Sequence, residues 1–256
     1  MTVEIWDPHF HIWDVSENTE SGHDPSVLVT PKEDLVYTLK KYEEDMTAVD
    51  FKLSGGAFVE AVSVCHVNID GPQFESACLA ETRWVSSQLD ESTLDYVLVG
   101  SAPLESPRID QILESLKRFP KVYSIRQIIS YEPSWPRNKK RGNFLENPQW
   151  LDGFSQLASH NLAFDLQINP NQFDKAVDLV TKHPEIPIII GHLGSPTLAD
   201  LHEKEEYWEG MRKFASLEHV SIKISMLSYI DPAWDESSLI EETVHQVIEL
   251  FGIERC

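Results

Sequence analysis

The sequence predicts an α/β protein in which parallel strands alternate with outer helices, and three observations lead to this prediction. Seven short apolar runs of strand length are separated by longer stretches with the apolar spacing of helices. The chain has 256 residues, and single (β/α) barrels have about 250 residues. Hydrophobic residues make up 41% and charged residues 25% of the chain, which is ordinary for a globular domain.

The seven strand candidates are short segments rich in Val, Ile, Leu and Phe, with polar or turn-forming residues between them. In chain order they are residues 3–6, 56–61, 96–100, 122–126, 162–168, 186–191 and 220–224. Each is followed by a helical pattern, and strands joined by helices pair in parallel with the helices outside the sheet.

The first helix is predicted to begin near Thr30, an N-cap residue followed by Pro31 and by acidic residues near the positive helix end. The later helices share apolar residues at three- and four-residue intervals. They are residues 73–89, 108–118, 149–160, 172–183, 203–217 and 237–251.

Seven strand–helix units are one fewer than the eight of a complete barrel. Gly252 is predicted to end the last helix, and the sequence stops at Cys256, where the next strand would begin. We therefore expect either an open seven-stranded structure or a barrel that lacks its eighth unit. No linker interrupts the chain, so a single, C-terminally incomplete domain is expected over residues 1–256.

Composition excludes several classes of partner. The formal net charge is −21, which disfavours nucleic acid and anionic membrane surfaces. No segment approaches the about 18 consecutive apolar residues of a membrane span. Three scattered cysteines and the lack of a signal-peptide pattern favour a reducing compartment, so we expect a cytoplasmic protein. A small-molecule substrate is the expected partner, and a homo-oligomer is left open.

A histidine pair ends the first predicted strand, in the segment Asp7-Pro8-His9-Phe10-His11. Side chains at i and i+2 of a strand point to the same side, so His9 and His11 are predicted to converge. Barrel enzymes place their sites at this end of the strands. Two imidazoles there suit a divalent metal or a substrate carbonyl. The alternative is two unrelated surface histidines.

A third histidine directly follows the sixth predicted strand, in Gly191-His192-Leu193-Gly194-Ser195-Pro196. The two glycines permit close approach and unusual backbone angles beside it. His192 is predicted to face the same mouth as the histidine pair. The alternative is a histidine whose hydrogen bonds are satisfied within a turn.

These two motifs, with Ile12-Trp13-Asp14 after the first, resemble the amidohydrolase-related family. More narrowly, they are similar to its branch of metal-dependent TIM-barrel hydrolases, which contains sugar lactonases and carboxylate-lactone hydrolases. Further matches occur in family order at Phe58-Val59-Glu60-Ala61, Glu81-Thr82-Arg83-Trp84, Gly100-Ser101-Ala102-Pro103-Leu104, Ser124-Ile125-Arg126 and Lys223-Ile224-Ser225. The resemblance implies a TIM (β/α)8-type barrel that hydrolyses a small sugar-derived or carboxylated lactone with water at the barrel mouth.

The resemblance also implies the roles of individual residues. His192 matches a catalytic histidine that polarises the scissile carbonyl or joins a metal shell. His9, His11 and Arg126 match substrate-binding positions. A divalent metal, zinc if any, would be held by His9, His11, His192 and Glu60, although some members of the branch work without metal.

In the family, Phe-Gly-x-Glu-Arg precedes an eighth strand whose aspartate activates the attacking water. Only Cys256 follows the matching residues 251–255, so the aspartate is absent from this sequence. Two alternatives to a lactone hydrolase therefore stay open. One is a decarboxylase, a carbon–carbon lyase of the same superfamily, and the other is a truncated or non-catalytic homologue.

Other charged residues have open roles. Glu60 and Asp165 are candidates for a fourth metal ligand, and an inward acid in an apolar strand is costly unless it is paired. Lys223 lies between two isoleucines and, if it faces inward, needs an acidic partner, which could be either of them. The polar loop 131–143 holds four basic residues that could attract an anionic lactone, or that form a solvated charge run.

Overall fold

The computed structural model describes residues 2–16, 35–65, 69–134, 141–203 and 205–256. The chain divides into two compact units, Met1–Arg126 and Gln127–Cys256. The single, C-terminally incomplete domain expected over residues 1–256 stays a prediction.

The described residues of the first unit form a parallel sheet, a short antiparallel pair of strands and four helices. Its strands are β1 (Val3–Phe10), β2 (Trp13–Asp14), β3 (Val36–Tyr37), β4 (Phe51–Val59), β5 (Asp95–Ser101) and β6 (Val122–Ile128), the last of which extends two residues beyond Arg126. Its helices are α1 (Leu39–Met46), α2 (Val62–Cys65), α3 (Gly71–Glu91) and α4 (Ile109–Leu116). Strands β1, β4, β5 and β6 pair in parallel in that order, whereas β2 and β3 form a short antiparallel pair.

The end of β1 is irregular, and this irregularity shapes the histidine pair. Asp7 is in register with Gly56 and Phe10 with Phe58, so β1 uses one more residue than β4 over this stretch. Pro8 lies within the bulge, where its missing N–H removes no regular ladder hydrogen bond. Phe10 is buried and stacks on Tyr42 at 4.3 Å between ring centres, which anchors the strand end to α1.

The second unit contains three parallel strands, β7 (Ala163–Gln167), β8 (Ile188–Ile190) and β9 (Val220–Ile222), paired in chain order. Its helices are α5 (Pro148–Gln156), α6 (Phe173–Lys182), α7 (Leu198–Glu203), α8 (Glu205–Ala215), α9 (Leu227–Ile230) and α10 (Ser238–Phe251). The Asn147 side chain accepts hydrogen bonds from two backbone N–H groups of α5, and Pro148 occupies its first turn. Buried aromatic rings of Trp150, Phe154 and Phe164 pack between α5 and β7.

Arg255 closes the last turn of the second unit. Its guanidinium donates hydrogen bonds to the carbonyls of Ala215, Leu217, Val220 and Phe251, at 2.9 to 3.0 Å. These carbonyls lie at the ends of α8 and α10 and at the start of β9, where backbone acceptors are otherwise left open. The arginine therefore ties the last residues to the strand that precedes Lys223 and Ser225.

All seven predicted strands are present, which confirms the predicted α/β class. The predicted helix start at Thr30 lies outside the described residues and stays a prediction. Within the described residues, α1 begins at Leu39, where the Thr38 side chain accepts a hydrogen bond from the Lys41 N–H. Strand β4 begins at Phe51, five residues before the prediction. None of the helices in the described ranges is both long and apolar enough to span a membrane.

Candidate functional site

His9 and His11 are brought together in the first unit, as their spacing predicts. Their Nε2 atoms are 3.1 Å apart, and their rings meet edge to face. The Nδ1 atom of His11 is 2.7 Å from the carbonyl oxygen of Val59. A carbonyl only accepts, so this contact places a proton on Nδ1, and neutral His11 then has a lone pair on Nε2.

Asp7 sets the backbone that carries the pair. One carboxylate oxygen, Oδ1, accepts a hydrogen bond from the His9 backbone N–H at 2.9 Å, which closes a local turn across Pro8. The other, Oδ2, accepts a hydrogen bond from the Tyr42 hydroxyl at 2.8 Å. Burial raises the pKa of Tyr42 most, and the neighbouring Asp7 carboxylate raises it further. Tyr42 therefore stays a neutral donor.

Arg126 and Glu60 form a buried ion pair beside this turn. Arg126 Nε lies 2.8 Å from Glu60 Oε1, and its Nη2 also donates to the Glu60 carbonyl oxygen. The other carboxylate oxygen of Glu60 accepts from the Ser63 N–H at 2.9 Å. Burial raises the pKa of Glu60, and the charge of Arg126 acts against that rise. The ion pair thereby fixes Glu60, which directly follows Val59, and the Val59 carbonyl accepts the hydrogen bond from His11.

A second buried carboxyl, Glu81 on α3, lies in the same part of the first unit. Its Oε1 accepts a hydrogen bond from the Ala61 N–H at 2.9 Å, and its buried Oε2 has no hydrogen-bond partner among the described residues. Burial raises the pKa of Glu81 well above its ordinary value, and the nearby Glu60 charge raises it further. The Glu81 carboxyl therefore binds its proton more tightly than an exposed glutamic acid does.

The described donors supply only part of a metal site. His9 and His11 present nitrogens at a spacing that one cation could bridge, and His11 is oriented by a backbone carbonyl as metal-binding histidines are. Catalytic zinc sites use three protein ligands. Within the ranges that the structure describes, no group of three or more His, Cys, Asp or Glu could hold a metal. Glu60 is engaged by Arg126, so the set of His9, His11, His192 and Glu60 stays a prediction.

In the second unit, His192 lies in a turn of unusual backbone conformation after β8. Its φ is +54°, and the next three residues, Leu193, Gly194 and Ser195, have φ of +57°, +73° and +53°. The His192 side chain is buried, and its Nδ1 is 2.8 Å from the Ser225 hydroxyl. The hydrogen bond of Nδ1 is thus made with the segment that follows β9, and not within the turn that carries His192.

Lys223 is paired with Asp165, one of the two partners that the sequence left open. Its Nζ lies 2.6 Å from Asp165 Oδ1, and both side chains are buried. A buried pair of this kind is stable only because each charge compensates the other. Lys223 and Asp165 therefore compensate each other's charge, and the Asp165 carboxylate is held in this ion pair.

Sequence reasoning missed Asp7, Tyr42, Glu81 and Ser225 as members of these two clusters. Asp7 and Ser225 are polar residues at strand ends, a position that could have marked them. Tyr42 and Glu81 lie within helical patterns and carry no such mark. The basic residues at 137, 139 and 140 in loop 131–143 lie outside the described residues, so their proposed attraction for an anion stays a prediction.

Comparison with known proteins connects the sequence to one family. A family model described as amidohydrolase matches residues 132–256. An uncharacterized protein, y4mH of Sinorhizobium fredii, is 26% identical over 255 residues, which are 99% of this chain and 83% of that protein. An L-fucono-1,5-lactonase of Burkholderia ambifaria is 23% identical over 182 residues, covering 68% of this chain and 58% of the lactonase.

Solved structures share the fold over nearly the whole chain. Amidohydrolase 2 from Bifidobacterium longum subsp. infantis has a TM-score of 0.63 at 21% identity, with 99% of this chain and 82% of that chain covered. An amidohydrolase from Burkholderia multivorans with bound zinc has a TM-score of 0.62 at 17% identity, covering 100% and 82%. A probable 2-pyrone-4,6-dicarboxylic acid hydrolase from Acinetobacter baumannii has a TM-score of 0.63 at 15% identity, covering 98% and 80%. The TIM-barrel type of α/β fold is thereby confirmed.

Proposed function

We propose that this chain, whose residues 132–256 match the amidohydrolase family model, is a hydrolase of that superfamily that opens a small lactone, either sugar-derived or carboxylated, by attack of water. Two relatives support this substrate class: the lactonase of Burkholderia ambifaria and the pyrone dicarboxylic acid hydrolase of Acinetobacter baumannii. In the reaction, the water oxygen bonds to the carbonyl carbon, the ring C–O bond breaks, and the ring oxygen leaves as an alcohol.

The His9–His11 pair is the observation that carries the proposal. Val59 holds the His11 proton on Nδ1, so Nε2 is the basic atom, and it faces His9 at 3.1 Å. A water molecule that takes the place of this contact can pass a proton to Nε2 as its oxygen attacks the lactone. General-base catalysis of this kind contributes about 10²- to 10⁴-fold to a rate.

His192 has the complementary role in the proposal. The carbonyl oxygen becomes anionic as water adds, and a hydrogen-bond donor aimed at it lowers the barrier. In the proposal, the buried imidazole, whose Nδ1 lies 2.8 Å from the Ser225 hydroxyl, donates to this oxygen through Nε2. Arg126 keeps its predicted contact with substrate oxygens as part of the proposal, although its guanidinium already holds Glu60.

The test is a panel of sugar lactones and carboxylated lactones, with acid release followed by pH-stat. We expect turnover of at least one member, and a loss of about 10²-fold in kcat for His11→Ala and for His192→Ala. His202→Ala, which removes an exposed histidine of α7, is the matched control and should keep the wild-type rate. An unchanged rate in either active-site variant would remove that histidine from the mechanism.

Metal content is measured on the same preparations. A divalent ion, zinc if any, is part of the proposal, and so is metal-independent hydrolysis. Elemental analysis of the purified protein and of His9→Ala decides between them. One equivalent of metal in the wild type that is lost in His9→Ala supports a metal bound by His9 and His11. Full activity in metal-free protein supports a role for the two histidines in proton transfer alone.

Decarboxylation is the second candidate function. It is favoured by the fold shared with a 2,6-dihydroxybenzoate decarboxylase from Rhizobium, with a TM-score of 0.59 at 12% identity and coverage of 100% of this chain and 86% of that chain. Release of CO2 from an aromatic acid, without acid release from any lactone, would establish this alternative. Failure of both assays would favour a non-catalytic homologue.

A further inference from the structure

Left-handed backbone is concentrated around one side-chain hydrogen bond. Five non-glycine residues have positive φ among those the structure describes. Four of them belong to the segments that carry His192 and Ser225. They are His192, Leu193 and Ser195 on one side and Met226, with φ of +56°, on the other. Left-handed backbone is unfavourable for every residue other than glycine, because Cβ comes too close to the following carbonyl oxygen. Such strain persists only where the surroundings impose it, and it clusters at functional sites.

The two segments impose this conformation on each other. The Leu193 N–H donates to the Lys223 carbonyl at 3.0 Å, and the Lys223 N–H donates to the Ile190 carbonyl at 2.8 Å. Leu193 is fully buried, and its carbonyl accepts a hydrogen bond from the buried Tyr207 hydroxyl at 3.0 Å. The Lys223–Asp165 pair fixes the side chain of the same strand end. The backbone is thus clamped on both sides of the contact between His192 and Ser225.

We propose that Ser225 is a positioning residue for His192, and that its hydroxyl donates to Nδ1 and keeps the proton of the neutral imidazole on Nε2. A serine hydroxyl can either donate or accept, and a neutral imidazole carries one proton on one of its two nitrogens. When the hydroxyl donates, Nε2–H becomes the donor that His192 presents. The clamped turns then set the direction of that N–H.

The catalytic consequence rests on the proposed lactone hydrolysis, but the tautomer does not. An Nε2–H donor suits a carbonyl oxygen that becomes anionic. The opposite tautomer would present a lone pair at Nε2, which would repel that oxygen. Ser225 thus selects the chemical role of His192 without touching the substrate.

The tautomer is measured by long-range ¹H–¹⁵N correlation NMR, with the His192 signals identified by their loss in His192→Ala. In the wild type we expect the proton on Nε2. Ser225→Ala should increase the share of the tautomer that is protonated on Nδ1, and Ser225→Thr, which keeps a hydroxyl, should restore the wild-type pattern. Ser228→Ala, an exposed serine of α9, is the matched control. A wild-type proton on Nδ1, or an unchanged pattern in Ser225→Ala, overturns the proposal.

Kinetics provide the second readout, with the lactone that the panel identifies. Ser225→Ala should lower kcat about tenfold with little change in KM, because the donor is lost in the transition state and not in substrate binding. Ser225→Thr should stay near the wild type. Full kcat in Ser225→Ala, together with an increased share of the tautomer protonated on Nδ1, would overturn the catalytic consequence. If no lactone is turned over, the proposed function fails, while the NMR result still decides the role of Ser225.

Discussion

At the scale of single residues, two buried ion pairs organise the two candidate clusters. Arg126 with Glu60 fixes the end of β4, and Lys223 with Asp165 fixes the end of β9. Glu60 and Lys223 directly follow β4 and β9, whereas their partners Arg126 and Asp165 lie within β6 and β7. Such a pair contributes little net stability compared with apolar residues, but the removal of one partner leaves a buried charge without compensation.

Arg126→Met should lower the free energy of unfolding by about 3–5 kcal/mol, because the Glu60 carboxylate loses the cation that compensates its burial. The double variant Arg126→Met/Glu60→Gln should recover part of this loss. Urea denaturation followed by circular dichroism measures both.

Lys52→Met is the control for this experiment, because Lys52 forms an exposed pair with Glu4 in the same unit. We expect a change of at most about 1 kcal/mol for it. Equal destabilisation by Lys52→Met and Arg126→Met would show that burial of the Arg126–Glu60 pair has no special effect.

The sequence indicated which buried charges need partners, but not which partners they choose. An acid or lysine within an apolar strand is visible from alternation, as with Glu60 and Lys223. The pairing of Arg126 with Glu60 depends on the register between strands, which no local pattern contains. Glu81 was invisible as a site residue because a helix of 21 residues offers many positions for an acid.

At the scale of elements, all seven parallel strands follow from apolar runs, while the ends of elements do not. The start of β4 at Phe51 escapes the pattern because Lys52, Ser54 and two glycines interrupt its apolar residues. Helix α1 has few apolar residues, since its sequence is mostly charged. The pair of β2 and β3 joins residues far apart in sequence, which periodicity cannot reveal.

The turn after β8 yields a prediction at this scale. Gly194 has φ of +73°, and a Cβ there would lie 2.6 Å from the Phe173 ring and 3.0 Å from Met211 Cε. Gly194→Ala therefore adds a steric clash to the backbone strain. We expect a loss of about 2–4 kcal/mol in the free energy of unfolding.

Gly142→Ala separates strain from clash. Gly142 has a similar φ of +70°, but in the described part of the chain no atom beyond its two sequence neighbours lies within 4 Å of the position of a Cβ. Its loss should be limited to about 1–2 kcal/mol, the cost of left-handed backbone alone. Thermal or urea unfolding of the two variants measures the difference. Equal losses would mean that the contact with Phe173 is relieved without cost.

At the scale of the whole molecule, an excess of acidic residues combines with buried carboxyls to set the response to pH. The folded state raises the pKa of Glu81, through burial first and the Glu60 charge second. The folded protein therefore binds this proton more tightly than the unfolded chain does. The associated stability is complete below the ordinary pKa of 4.5 and is lost as pH rises through the raised value.

Glu81→Gln should flatten the decline in stability as pH rises above the ordinary pKa of 4.5, because glutamine imitates the protonated acid. At the alkaline end of the pH series the variant should be more stable than the wild type, because the wild-type carboxyl must ionise in a buried position. Urea unfolding across the pH series measures this. Glu91→Gln, at the exposed end of the same helix, controls for the loss of one acidic residue, and a wild-type slope in Glu81→Gln would contradict the assignment.

The exposed Met226, held in left-handed backbone beside Ser225, has a consequence for protein engineering. Glycine at this position would relax the turn without leaving a void, so a screen for heat resistance would reward it. The relaxed turn would hold the His192 imidazole less firmly, so the proposed lactone turnover would fall as the melting temperature rises. Libraries built for robustness should therefore leave codon 226 untouched.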